Sequence, residues 1–368
     1  MTEADAARRT VVPGHPVTVP AEGPATAPRG DRRPVALLLP GQGSQHPRMA
    51  AGLCHDDHGF TNALDEAFEA MGPQGEHLRA EWRAARPRLP IDHATRSQPL
   101  LFAVDYALAR MVEGWGVRPS ALLGHSLGEL VAAVLAGVFG LADAARVVVN
   151  RSHEVAQAPP GRMLATAASP ADIAPLLVGG AVIGAVNAPR QTVVAGTVRA
   201  VEATRGMLAG AGITHRAVPS LTAFHSPVLR RTRAHAARAF ASIPASPPRI
   251  PLYSCYTAAR LSAGEARDPA YWADHVTAPV RFWDALCALL STSPYLLVEA
   301  GPGQALSRLA RLHPDVRAGR SAVVPLLPAR SGPPSRDREA ARRARRLLEA
   351  EGIGGPTCDR PLSAGVGR

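Results

Sequence analysis

Apolar positions along this chain follow three different schedules. Val35-Ala-Leu-Leu-Leu39, Ala121-Leu-Leu-Gly124 and Leu296-Leu-Val298 are short unbroken runs that end at Pro40-Gly41, at His125 and at Glu299-Ala-Gly-Pro-Gly303. Runs of this length without alternation read as buried strands. A second schedule places Leu101, Val104, Leu108 and Met111 on one stripe, which predicts a helix over Gln98–Gly114. An Ala-rich helix is predicted over Leu130–Val138. Strand and helix in turn argue for a parallel α/β sheet. Residues 162–218 keep a third schedule. Met163–Ala167 is strand-like, Pro170–Leu177 helical, Ala181–Val186 and Gln191–Ala195 strands joined by the turn signal Asn187-Ala-Pro-Arg190, Val198–Ala211 helical and Thr214–Val218 a last strand. The order β-α-β-β-α-β is that of a ferredoxin-like unit. The fold class expected is therefore α/β: a large hydrolase-like domain with a parallel sheet, in two pieces at 35–161 and 219–328, holding a small ferredoxin-like subdomain at 162–218.

The ends differ in composition. Residues 1–34, rich in Pro, Ala, Thr and Arg, read as a disordered leader. Residues 329–368 read as an arginine-rich tail carrying a short amphipathic surface helix, Asp337–Glu351, with Leu347 and Leu348. In 368 residues the hydrophobic share is 46 %, ordinary core content that excludes a wholly disordered chain. Since no stretch of about 18 apolar residues occurs, no membrane-spanning helix is expected. The first 34 residues lack the apolar core of a secretory signal.

Charge narrows the partners. All 41 basic residues are arginine against 30 acids, a net +11. The leader holds five arginines and four acids, the tail nine and five, which leaves +6 in the body. Such a field attracts acidic partners. Nucleic acid is not expected among them, because aromatics are only 4 % and no finger spacing occurs. Cys54, Cys255, Cys287 and Cys358 form neither a C-x-x-C pair nor a cluster with histidine. Disulfides, a metal site and a bound cofactor are not expected, and the setting reads as reducing and cytoplasmic.

The strongest chemical signal is Gly124-His125-Ser126-Leu127-Gly128 between a strand and a helix. A serine there sits on a tight turn, and a side chain at 124 or 128 would collide with the neighbouring strand and helix. The helix that follows aims its N-terminal dipole at a developing oxyanion. The bland alternative is a serine capping an ordinary helix. A nucleophilic serine needs a base. Of 13 histidines, His125 adjoins it but points elsewhere on such a turn. His225, in Ala223-Phe-His-Ser-Pro227, lies where the main domain resumes and is the candidate base. Asp143 and Asp172 fall between serine and histidine, but neither sits at a convincing strand end.

Five motifs come in one order: Pro40-Gly-Gln-Gly-Ser-Gln45, Gln98-Pro99, Gly124-His-Ser-Leu-Gly-Glu129, Ala223-Phe-His-Ser226 and Gly301-Pro-Gly303. Together, over residues 35–328, they resemble the malonyl-CoA:acyl-carrier-protein transacylase family and the acyltransferase domains of polyketide synthases. The resemblance implies Ser126 as the acylated nucleophile and His225 as the base, with the backbone N–H groups of Gln42 and Leu127 as oxyanion hole. Arg151, 25 residues after the serine, matches the family arginine that grips the free carboxylate of a malonyl group; a guanidinium fork suits a planar carboxylate better than lysine. Gln98 would line the acyl pocket. In the family a backbone carbonyl replaces the third triad carboxylate, and the resemblance places it in Tyr271–Val276, at His275. The tetrapeptide ending at the base, Thr222-Ala-Phe-His225, correlates with acyl choice. Phe224 fits the malonyl pattern, while Thr222 departs from the usual histidine. Malonyl is preferred over methylmalonyl, with CoA thioester as donor and acyl carrier protein as acceptor in a ping-pong cycle. With no room for a condensing domain and no carrier-type Asp-Ser-Leu segment, the chain is expected to act as a free-standing transferase, in polyketide rather than fatty acid synthesis. The rivals are an acyl transferase between carrier proteins, an editing acyl hydrolase of the same fold, and an α/β-hydrolase esterase.

Overall fold

A computed structural model of the protein describes residues 32–54 and 56–354. The expected disordered leader and the last part of the tail, from 355, lie outside the described residues.

The three apolar runs become β1 (Val35–Leu39), β2 (Ala121–Gly124) and, further along the chain, the strand Leu296–Glu299. In between come β3 (Gly161–Thr166), β4 (Val182–Ala188), β5 (Gln191–Thr197), β6 (His215–Ala217), β7 (Leu252–Ser254) and β8 (Ala259–Arg260). Leu296–Glu299 is β9, and β10 is Ala322–Pro325. The large sheet has the order β10-β9-β1-β2-β7-β8 and is parallel except at the β8 edge. Its central strands are buried on both faces, which is why they read as continuous apolar runs. Leu37, Leu39, Leu122 and Val298 enter one core, and Ala36, Leu38, Leu123 and Leu297 the other. Leu39 pairs with Gly124 and Leu38 with Glu299, so the carboxyl ends of β1, β2 and β9 finish together. Ligands of open α/β sheets gather at that edge.

The second sheet, β4-β5-β3-β6, is antiparallel, with Val198–Gly210 as its main helix. Both strands of its hairpin run longer than the sequence implies, so only Pro189 and Arg190 turn and Asn187 lies within β4. The small sheet is tied by backbone to a connecting segment of the large domain: Val186 N–H donates to Val280 O at 2.8 Å, and Val280 N–H to Gly184 O at 2.9 Å. The fold is thus a large α/β domain with a ferredoxin-like subdomain. The long helix runs Ala94–Gly114 and starts four residues before Gln98, accommodating Pro99 within it.

The tail helix requires a correction. It spans Pro334–Ala350, and one face is not at the surface: Ala341, Ala344 and Leu348 are buried in the main core, while Leu347 stays exposed. Asp337 accepts the Gly52 N–H at 3.0 Å, and Arg342 pairs with Asp56 at 2.8 Å. Small residues at 341 and 344 allow the close approach, which charge counting alone hides. Leu348→Ala is expected to lower the unfolding free energy by about 2–4 kcal/mol, measured by denaturant unfolding; an unchanged midpoint would mean that the helix is a loose appendage.

Candidate active site

Ser126 stands between β2 and the Leu127–Leu135 helix with φ 54° and ψ −118°. A non-glycine residue in this region is strained, and the flanking glycines show why the strain is held. A Cβ on Gly124 would lie 2.3 Å from Glu129 N, and one on Gly128 would lie 2.0 Å from Leu39 O. Strand, turn and helix are packed too closely for any side chain. Leu127 opens the helix, and its N–H has no backbone acceptor among the described residues, whereas those of Gly128 and Glu129 close onto His125 O and Ser126 O. Gly41 lies against the same turn, since a Cβ there would sit 3.2 Å from both Leu127 N and Ser126 Cβ. This brings the Gln42 loop alongside the serine.

Ser126 Oγ lies 2.7 Å from His225 Nε2. His225 also has positive φ, 59°, and is buried. Its Nδ1 is 2.8 Å from Ala278 O. A carbonyl only accepts, so Nδ1 carries the hydrogen and a neutral ring presents the Nε2 lone pair to the serine. This corrects the expected role of His275. The orienting carbonyl belongs to Ala278, three residues later, and Val276 O holds the His225 backbone N–H at 2.8 Å. The His275 side chain is buried beside the base with Nε2 3.1 Å from Glu129 Oε2. The resemblance points to Tyr271–Val276, and the carbonyl that faces the ring lies two residues beyond that stretch; neither spacing nor composition marks it.

Burial, and then the nearby His275, push the His225 imidazole down to about 3. The neutral ring is the base, so a lower value keeps it active further into acid. Labelling of Ser126 by a fluorophosphonate is expected to stay nearly flat from pH 7 to pH 5, where a histidine of ordinary pKa, about 6.5, would be mostly protonated. A half-loss near pH 6.5 in a pH–rate profile would contradict this.

The other residues form a line. Arg151, on the Leu141–Ala156 helix, is only 6 % exposed. Its Nη2 donates to Gln98 Oε1 at 3.4 Å, and Gln98 Nε2 donates to Gln42 Oε1 at 2.8 Å. Among the described residues no carboxylate pairs with Arg151. Burial lowers its pKa to about 10, with Glu154 partly opposing. Gln42 Nε2 is itself buried without a partner. A cavity of ≈ 570 Å³ opens over Ser126, walled by Gln42, His125, Phe224 and His225, with the exposed Arg216 and Arg308 on its lining. Gln98 and Arg151 connect to this wall through Gln42. Thr222 lies elsewhere, on a neighbouring cavity of ≈ 950 Å³ that shares Met163 and the 216–219 segment with the first. His125, which also lines the catalytic cavity, is anchored by Asn187 Oδ1 at 2.9 Å. Reading that asparagine as part of a turn hid this contact. Among the described residues no cluster of metal-ligating side chains occurs, and no helix is long and apolar enough to cross a membrane.

A strained serine, a histidine aimed at it by a carbonyl, the Leu127 amide at a helix start and a buried guanidinium with no carboxylate partner among the described residues can take up, hold and release an acyl group. Fold and site together define an acyl-transfer enzyme. Residues 37–327 match the acyl transferase domain family, to which the chain therefore belongs. It is 38 % identical over 289 residues, 78 % of this chain, to a phenolphthiocerol/phthiocerol polyketide synthase of Mycobacterium tuberculosis. The chain spans about a fifth or less of the length of such curated relatives. Among solved structures, the acyl transferase domain of SpnD, in complex with 2-(pent-4-yn-1-yl)malonyl, matches with a TM-score of 0.80 at 33 % identity, covering 91 % of this chain and 82 % of that one. The malonyl-CoA:acyl carrier protein transacylase of Xanthomonas oryzae matches with a TM-score of 0.73 at 28 % identity, covering 84 % and 98 %.

Proposed function

We propose that the protein moves a malonyl group from CoA to the phosphopantetheine thiol of an acyl carrier protein, in the service of polyketide assembly, with Ser126 as nucleophile and His225 as base. The observation that carries this reading is Arg151: a buried guanidinium with no carboxylate partner among the described residues, linked through Gln98 and Gln42 to the serine cavity. A buried cation is costly to leave unpaired, and a malonyl carboxylate is a partner of the right charge and planarity. The Xanthomonas match is a malonyl transacylase and the SpnD complex holds a malonyl substituted at C2, so both acyl groups carry the free carboxylate that Arg151 would hold.

The chemistry follows from the tautomer. Ser126 Oγ attacks the thioester carbonyl as its proton passes to His225 Nε2. The oxyanion is held by the amides of Gln42 and Leu127. The C–S bond then breaks, and His225 returns the proton to the departing CoA sulfur. The malonyl ester waits on Ser126 with its carboxylate on Arg151. In the second half the pantetheine thiol gives its proton to His225 and attacks the ester, and Ser126 recovers a proton as the C–O bond breaks. Phe224, on the cavity wall, would crowd an α-methyl, which favours malonyl over methylmalonyl. Arg216 and Arg308 suit an acidic carrier, and such complementarity chiefly speeds encounter.

The test is to load the enzyme with malonyl-CoA and chase with phosphopantetheinylated acyl carrier protein at rising salt. Transfer to the carrier should slow with salt while self-acylation changes little. Loss of the acyl group to water at the same rate with or without carrier would identify an editing hydrolase instead.

A further inference from the structure

One buried carboxylate connects both halves of the reacting pair. Glu129 lies on the first turn of the Leu127–Leu135 helix and is fully buried. Its own N–H donates to Ser126 O at 2.9 Å, so it is part of the nucleophile turn. Its side chain looks away from the serine. Oε1 accepts from the Tyr271 hydroxyl at 2.7 Å, and Oε2 from the Cys255 backbone N–H at 3.0 Å, next to β7. Oε2 is also 3.1 Å from His275 Nε2. Burial alone would raise the Glu129 carboxyl, but His275 and the Tyr271 and Ser254 hydroxyls more than offset this and hold it below the ordinary glutamate range. It is therefore an anionic acceptor with several donors converging on it, the arrangement in which buried hydrogen bonds are strongest and least free to move.

Two of those donors, Tyr271 and His275, sit on the segment that supplies both carbonyls to the base, Val276 O to the His225 N–H and Ala278 O to Nδ1. The His275 ring also stands edge-on to the His225 ring, with centroids 6.4 Å apart. We propose that Glu129 is a positioning residue: through Tyr271 and His275 it locks the Tyr271–Ala278 segment to the nucleophile turn, and so fixes the Ser126–His225 distance. The proposal rests on Ser126 and His225 being the reacting pair. Glu129 touches neither reacting side-chain atom, so its effect lies in geometry, where a displacement of about 1 Å can cost on the order of a hundredfold in rate.

The test measures the rate of Ser126 labelling by a fluorophosphonate, together with kcat and KM for malonyl-CoA, in His275→Leu, His275→Gln and Tyr271→Phe. The leucine variant removes the donor to Glu129 and is expected to lower kcat and the labelling rate about tenfold or more, with KM within about twofold of wild type. Glutamine places an N–H near the position of Nε2 and should recover most of that loss. Wild-type rates in the leucine variant, or a glutamine variant as slow as leucine, would overturn the proposal. Should the leucine variant fail to fold by thermal melting, Tyr271→Phe decides the matter, because it removes one hydroxyl from the same anchor. A severalfold slower rate at unchanged KM is expected, and a wild-type rate overturns the proposal. Fluorophosphonate labelling needs no particular acyl donor. If wild type labels but does not take malonyl, the substrate assignment fails while the positioning role is still measured.

Discussion

Ser126→Ala is expected to abolish acyl-enzyme formation. In wild type, Oγ is 2.7 Å from His225 Nε2 on a turn whose Gly124 and Gly128 are hemmed in by backbone and admit no side chain. Alanine keeps the backbone and the amides of Gln42 and Leu127, so the fold and part of the oxyanion stabilisation survive. The two-step route does not. Overall transfer should fall on the order of ten-thousandfold or more, as when a covalent nucleophile is removed from a serine–histidine unit. Incubation with radiolabelled malonyl-CoA followed by denaturing gel separation reads this directly. Label persisting in the variant, on any residue, would remove Ser126 from the mechanism.

Arg151→Ala should change which acyl group is carried more than whether one is carried. The guanidinium is buried and lacks a carboxylate partner among the described residues. A malonyl carboxylate entering the variant's cavity would lose water without gaining a cation, a penalty of about 3–4 kcal/mol for an uncompensated buried charge. The kcat/KM for malonyl-CoA is expected to fall on the order of a hundredfold to a thousandfold. Acetyl-CoA, which has no carboxylate, should be used as well as before or better. Arg151→Lys should recover only part of the loss, because an ammonium keeps the charge but not the bidentate fork. Steady-state kinetics with both thioesters gives the ratio. Unchanged malonyl transfer would show that the carboxylate is held elsewhere.

The parts of the molecule legible in the sequence were those governed by local pattern. β1, β2 and β9 were visible because strands buried on both faces leave unbroken apolar runs. The small subdomain was visible because its strands and helices change period at each turn. The Ser126 turn declared itself through glycines that backbone contact demands. What escaped depends on non-local contact. The tail helix looked like a surface element because its arginines dominate the count, yet Ala341, Ala344 and Leu348 face the core. Arg151 has no local signature at all; only the resemblance singled it out, since its neighbours Gln98 and Gln42 are far away in sequence. Ala278 could not be told from its neighbours, because an orienting carbonyl carries no side-chain signal. Thr222 and Phe224, two residues apart, line different cavities. Glu129 read only as the end of the Gly124–Glu129 motif, and its partners Tyr271 and His275 come from more than a hundred residues further along the chain.

The central claim is that Ser126 accepts a malonyl group and holds it by its carboxylate. The most direct measurement is mass spectrometry of the intact enzyme and its peptides after incubation with an equimolar mixture of malonyl-, methylmalonyl- and acetyl-CoA. The account predicts one acyl group per chain, predominantly malonyl, on the peptide containing Ser126, and stable until a carrier thiol is added. An unmodified enzyme, an acyl group on another peptide, or a predominantly acetylated Ser126 would contradict it.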